Sequence, residues 1–439
     1  MDYKKYKYRH LLLLYFMSLF FYTPFNYLGI APICLIISIV LFFSILIKNI
    51  KIPSINLVDL FLFSFLIYLP LNALINIDEA NFNYRHIFAY YAVIIFYYFT
   101  LKYWIFNYLG NNSHLVLDYL TIGFILICLS GILDYILMQN SIYFHDYLPM
   151  PQANTTISGL VNTQEGFART IGTRAKGFYT EPTLLGYALA AFGPVVLQYC
   201  YHYKKIHIFG FVLMIFIVAL ILSRSITAYV ALGASFILTS IILFNVIRVK
   251  LSIKKSNLLK ILIFSLIAII LIIYLYGLSP TEGSFNYYLK NYITHYYFVM
   301  SLKLKTLIAY FFFTDLTGVT EVTSSFQRAE RWKFSINYIL TSNKLSFGFG
   351  PGYESAGGLP GGSVLNWWIN VLVEYGIIGL LILISSVFAA IYSIYINAGK
   401  YKFSLMTSLI VCVIYLSTHT GYYFPNLWII LVLSSIKLK

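Results

Sequence analysis

Apolar stretches of about 20 residues, the length a helix needs to cross a bilayer, recur along the whole chain and leave little choice of architecture. They fall near residues 10–28, 29–47, 58–77, 87–106, 117–138, 183–201, 206–222, 225–247, 259–277, 366–396, 403–418 and 424–436. Each run is continuous, whereas the strands of a membrane barrel alternate over about 10 residues, so the spans are helices. The expected fold is an all-α polytopic membrane protein with about 12 transmembrane helices. Hydrophobic residues fill 60% of positions and charged residues only 10%, which excludes an ordinary soluble domain. Lys4, Lys5, Lys7 and Arg9 precede the first run, but no small-residue cleavage site follows. That run is expected to be retained as a first helix.

Charge then orients the chain. With the N-terminus inside, 18 of the 30 basic residues fall on the inner side, against three acids, Asp2, Asp59 and Asp118. Both termini are expected to be cytoplasmic, and the excess positive charge faces anionic membrane lipid; nucleic acid binding need not be invoked. Residues 1–138 form helices 1–5 with short links, 139–182 a first large outer loop, 183–277 helices 6–9, 278–365 a second large outer loop with amphipathic helices, and 366–439 helices 10–12. Outer loops of that length suggest functional segments.

Charge is scarce enough that its outer positions carry most of the chemical information. The first loop closes on Arg174-Ala175-Lys176-Gly177-Phe178-Tyr179-Thr180-Glu181-Pro182, with Arg169 just upstream. Pro182 suits the first turn of a helix and Glu181 the positive end of its dipole, so a helix start alone explains those two. It does not explain Arg169, Arg174 and Lys176 on the side where cations are disfavoured. Arg224 sits in the tight outer link Ser223-Arg224-Ser225, either reaching for the interface or held there for a ligand. On a helix containing Arg328-Ala329-Glu330-Arg331-Trp332, Arg328 and Arg331 share a face, as a solvated pattern or a site. Gly348 and Gly350 lie in a stretch where backbone can fold tightly or approach a ligand closely. Asn366 opens the tenth span, and Glu374 and Asp134 are acids within apolar runs, candidates for function because burial there is costly.

Other chemistries lack their residues. The eight histidines show no i, i+4 pairing and no adjacent carboxylate cluster, so no metal site is expected. Four isolated cysteines, Cys34, Cys128, Cys200 and Cys412, suggest neither disulfides nor thiolate ligands, and no phosphate-binding Gly loop or Gly-x-Ser-x-Gly occurs. What remains is an outer face of arginines, a few carboxylates and many aromatics. Arg forks suit diphosphate oxygens, and aromatic faces suit sugar rings.

Three stretches, Leu222-Ser223-Arg224-Ser225-Ile226-Thr227-Ala228, Gly177-Phe178-Tyr179-Thr180-Glu181-Pro182-Thr183, and the run from Arg331-Trp332 through Gly348-Phe349-Gly350 to Asn366 and Glu374-Tyr375-Gly376-Ile377-Ile378-Gly379, resemble the O-antigen polymerase and ligase superfamily of bacterial membrane glycosyltransferases. Leu365 stands where the ligase branch carries a His, which favours the polymerase branch. The resemblance implies a C-type glycosyltransferase-like fold in the bacterial cytoplasmic membrane, working without metal or other cofactor. It implies donor and acceptor glycans on undecaprenyl diphosphate and admits a chain-length regulator protein as partner. On that reading Glu181, Arg224, Arg328 and Arg331 are catalytic, with Glu181 as general base. Arg169, Arg174, Lys176, Tyr179, Trp332, Gly348, Gly350, Asn366 and Glu374 line the substrate site, Glu374 orienting an arginine. A ligase, or a lipid-linked oligosaccharide flippase, remains the alternative.

Overall fold

The structure, a computed structural model, describes residues 3–19, 33–46, 54–79, 81–109, 113–139, 175–179, 181–243, 324–354, 357–359, 364, 366–419 and 424–438. The ninth expected span, the basic loop 248–260, Arg169, Arg174 and most of both long outer loops lie outside these residues, as does the side chain of Arg328.

Among the described residues every regular element is helical. They are α1 (Tyr3–Ser18), α2 (Ile33–Leu46), α3 (Leu57–Ile75), α4 (Arg85–Ala92), α5 (Leu101–Trp104), α6 (Ser113–Gln139), α7 (Pro182–Tyr203), α8 (Ile206–Ser223), α9 (Ile226–Ile242), α10 (Ser324–Thr341), α11 (Trp367–Asn397), α12 (Lys402–Leu416) and α13 (Pro425–Ser435). Wide π-type turns at Val93–Thr100 and Ile105–Leu109 continue α4 and α5 as one rod. Six of the helical stretches are long and apolar enough to cross a membrane, so this is a multi-pass helical membrane protein.

The helix ends follow local chemistry. Asn56 caps α3 and Asp59 returns the bond in a capping box, while Pro182 and Pro425 occupy the first turns of α7 and α13, where no amide partner is missed. α7 is the hub, packed against α6, α8, α9 and α12 and buried over most of its length. Small residues along its buried faces permit this close approach; a Cβ on Gly186 would meet the Cβ of Ser225 at 2.5 Å. At 11 residues α13 is short for a span, and it is buried nearly throughout against α11, α12 and the wide-turn segment.

The two ends of the bundle differ. At one, Lys102 pairs with buried Asp59 at 2.5 Å, Lys204 pairs with Asp118 at 2.5 Å, and Lys400 caps the Tyr203 ring. Two of the three acids assigned to the inner side by sequence are thus matched by lysines from other helices. The opposite end, here termed the loop end, gathers residues 76–79, 81–86, 175–179, 181, 222–225, 344–354, 357–359, 364 and 366.

Candidate functional site at the loop end

Two constellations occupy the loop end. The first sets the segment that bears Lys176 beside the Arg224 turn, with Glu181 at the N-cap of α7. Asp134, 1% exposed near the end of α6, accepts the backbone amides of Lys176 and Gly177 through one carboxylate oxygen at 2.8 and 3.0 Å. Ala175 donates its amide to Leu222 O at 3.0 Å, next to the Arg224 turn. Gly177 takes φ 57°, and a Cβ there would strike Ser130 Oγ at 2.7 Å. The segment 175–179 is therefore clamped between α6 and the end of α8. Tyr179 turns inward, buried, and donates its hydroxyl proton to Leu19 O at 3.1 Å.

Asp134 thus has a definite role: it holds a loop rather than facing a pathway. Asp134→Ala should lower stability by about 2 kcal/mol, because one buried and one half-buried amide lose their acceptor, and Asp134→Asn should recover more than half of that. Unfolding curves in one detergent check both, and equal stability of all three proteins would remove the clamp from the account.

Arg224 is the residue other than glycine with positive φ among the described residues, at φ 48° and ψ 34°. It closes α8 in the left-handed region, where glycine or asparagine is usual and other L-residues cost about 1–2 kcal/mol. Ser223 Oγ accepts the Ser225 amide, and Ser225 Oγ accepts the Ala228 amide to cap α9, so both flanking hydroxyls serve the turn. Glu181 stands exposed at the N-cap of α7 and makes no side-chain cap bond; its Oε2 accepts from Thr183 Oγ1 at 3.0 Å.

The second constellation surrounds a break in α11. The continuous helix expected over 366–396 is interrupted at Gly376, with φ 68° and ψ −172°. Residues 345–350 repair the interruption by backbone pairing. Phe349 N donates to Val373 O at 2.8 Å, Gly350 N to Glu374 O at 2.9 Å and Tyr68 Oη to Tyr375 O at 2.7 Å. In the other direction Ile377 N donates to Leu345 O at 2.9 Å, and Asn72 Nδ2 donates to Phe347 O. Irregular backbone is tolerated at such depth only when every freed group finds a protein partner. The stretch from Ile377 to Asn397 alone, at a rise of about 1.5 Å per residue, is long enough to cross a hydrocarbon core of about 30 Å. Glu374 therefore heads the spanning stretch instead of lying within it.

Gly348 and Gly350 serve this tight fold. At Gly348, φ is 71° and a Cβ would lie 2.5 Å from the Glu374 carbonyl. Asn366 caps α11, its Oδ1 accepting from Trp368 N at 3.0 Å and Ile369 N at 3.2 Å. Trp332 Nε1 donates to Val364 O at 2.8 Å, and Arg331 beside it is half-buried.

Among the described side chains Glu374 faces a histidine; Arg169, Arg174 and the side chain of Arg328 lie outside them. His86 Nδ1 lies 3.4 Å from Glu374 Oε2, within ion-pair range but without hydrogen-bond geometry, and Glu374 Oε1 has no partner among the described residues. His86 precedes its apolar run. Burial disfavours its charge, yet the carboxylates of Glu374 and then Glu354 outweigh burial and hold its pKa above the ordinary imidazole value. His86, Tyr68, Asn72 and Glu354 were not singled out by sequence, since no local motif joins them. One available signal was a 31-residue apolar helix, longer than a span needs, with glycine about two turns inside.

An aromatic path joins the two constellations. Tyr187 stacks on Tyr415 at 3.9 Å, Tyr415 on His419 at 4.4 Å, His419 O accepts the Trp367 amide, and Trp367 Nε1 donates to Tyr90 Oη one turn from His86. Among the described residues no cluster of three or more His, Cys, Asp or Glu is arranged to hold a metal ion. No protein-family model matches the chain, and no curated protein matches it.

Proposed function

We propose that this chain is a membrane glycosyltransferase that polymerises oligosaccharide repeat units carried on undecaprenyl diphosphate. The observation that carries the reading is the left-handed Arg224: a conformation that favours glycine is occupied by a cation, beside a clamped loop bearing Lys176 and leading to Glu181. Strain retained in that way marks a position held for function.

The growing glycan on its lipid diphosphate is the donor, and the terminal sugar hydroxyl of a new lipid-linked unit the acceptor. The hydroxyl oxygen bonds to the anomeric carbon as the bond from that carbon to the diphosphate breaks. The electron pair leaves on the diphosphate, the acceptor proton passes to Glu181, and a single displacement inverts the centre. Arg224 and Lys176 stabilise the charge that develops on the leaving group, with Arg328 and Arg331, and Arg169 and Arg174, as further cations of the same face. Trp332, Gly348, Gly350, Asn366 and Glu374 belong to the substrate-binding part of this assignment.

Lipid-linked glycans extracted from cells with and without the chain test this. Long polymers on the carrier should require the chain, and its loss should leave single repeat units at the outer face. Single units stranded at the inner face would instead support a flippase.

A further inference from the structure

A buried carboxylate with one oxygen lacking a partner, set against an imidazole whose facing nitrogen also lacks a hydrogen bond, is incomplete as a structural ion pair. Glu374 is 1% exposed with Oε1 unpartnered among the described residues, and His86 Nδ1 is buried. One turn before Glu374 on the same helix, Asn370 is buried and its Oδ1 also lacks a partner among the described residues. The break at Gly376 does not explain these atoms, because the backbone groups flanking it are paired by residues 345–350 and Tyr68.

The pair lies where three elements meet. The loop 76–86 is laid on the segment 344–354: Asn83 N donates to Pro351 O at 2.8 Å, Lys344 pairs with Glu79 at 2.6 Å and reaches Asn76 Oδ1 at 3.2 Å. Gly352 and Gly350 allow the approach, since a Cβ on either would fall within 2.8 Å of Asn83 or Asn76 side-chain atoms. His86 fixes the end of this loop to α11. The charged groups around it are Glu374 from α11, Glu354 from the opposing segment, Arg85 beside it on α4, and Glu79 farther along the loop, already paired with Lys344. The part of α3 that meets the segment presents Asn72 and Asn76, both neutral.

We infer that His86 and Glu374 form a single-proton binding site whose occupancy latches the loop 76–86 onto the 344–354 segment and the α11 break. With the proton bound, imidazolium faces carboxylate and the loop is held. Without it, a buried carboxylate faces a neutral ring and the attraction is lost. The inference does not depend on the glycosyltransferase reading. The sign follows from the raised pKa of His86: the stabilisation is complete below the ordinary imidazole range and disappears as pH rises through the higher folded value.

Hydrogen exchange on the full chain in lipid nanodiscs tests it, with rates corrected for the intrinsic effect of pH. Peptides covering 76–92 and 344–354 should lose protection as pH rises from about 6 through and above the ordinary imidazole range. Glu374→Gln and His86→Gln should each abolish that step. Glu354→Gln should keep it but move its midpoint to lower pH. A wild-type chain without the step, or a step that survives in Glu374→Gln and His86→Gln, overturns the inference. If neither of those variants inserts, an unmoved midpoint in Glu354→Gln overturns it.

Discussion

Alanine at position 376 should prevent the chain from accumulating as folded protein. Gly376 adopts φ 68° and ψ −172°, a region that is essentially closed to any residue with a Cβ. A Cβ there would also lie 2.6 Å from the Gly348 amide nitrogen, which donates to Lys344 O, and closer still to the Ser346 carbonyl, which accepts from Ile378 N across the break. Rotating the backbone to relieve the clash would undo the bonds from Phe349, Gly350, Ile377 and Tyr68 together. Strain and overpacking add to about 2–6 kcal/mol, a large fraction of a typical folding free energy. Gly233 in α9 supplies the control, because a Cβ there meets nothing within 4 Å. Gly233→Ala should be neutral or slightly stabilising, since alanine is the better helix former. Size-exclusion profiles and thermal unfolding of tagged protein compare the two, and equal yields would show that the break in α11 is not required.

Arg224→Gly separates stability from activity in the opposite sense. Glycine relieves the left-handed strain at the end of α8, worth about 1 kcal/mol, and this gain is set against its greater freedom when unfolded. The melting temperature should therefore stay level or rise. If Arg224 binds the diphosphate, elongation on the lipid carrier should fall by at least about a hundredfold, the scale seen when one stabilising donor is removed from a transition state. A variant that is as stable as wild type and still makes long polymer would end the assignment of Arg224, and with it the observation on which the proposed function rests. A stable variant with shortened product would place a cation requirement at the loop end directly.

The contrast between these two positions shows how much was legible in the sequence. Spans at 58–77, 183–201, 206–222 and 403–418 appear as α3, α7, α8 and α12 with ends displaced by a residue or two, because apolar run length and prolines at helix starts act locally. No spacing in the sequence joins residues 175–179 to the Arg224 turn, and the Ala175 to Leu222 bond does so in the structure. The fate of the acids was not legible. Asp134 and Glu374 look alike in sequence, each a single carboxylate in an apolar run, yet one accepts two loop amides and the other faces a histidine 288 positions away.

The sequence by itself determined that this is a helical membrane protein, where most of its helices run, and which end collects lysine. Solvent matching drives all three, and it depends on composition within windows of about 20 residues. Only the tertiary structure decided that α11 is broken, that a glycine-rich segment repairs it, that Asp134 is a clamp and that His86 meets Glu374. Those outcomes depend on which backbone and side-chain groups find partners once the helices are packed, and hydrogen bonding between residues far apart in the chain leaves no period or spacing in the sequence to read.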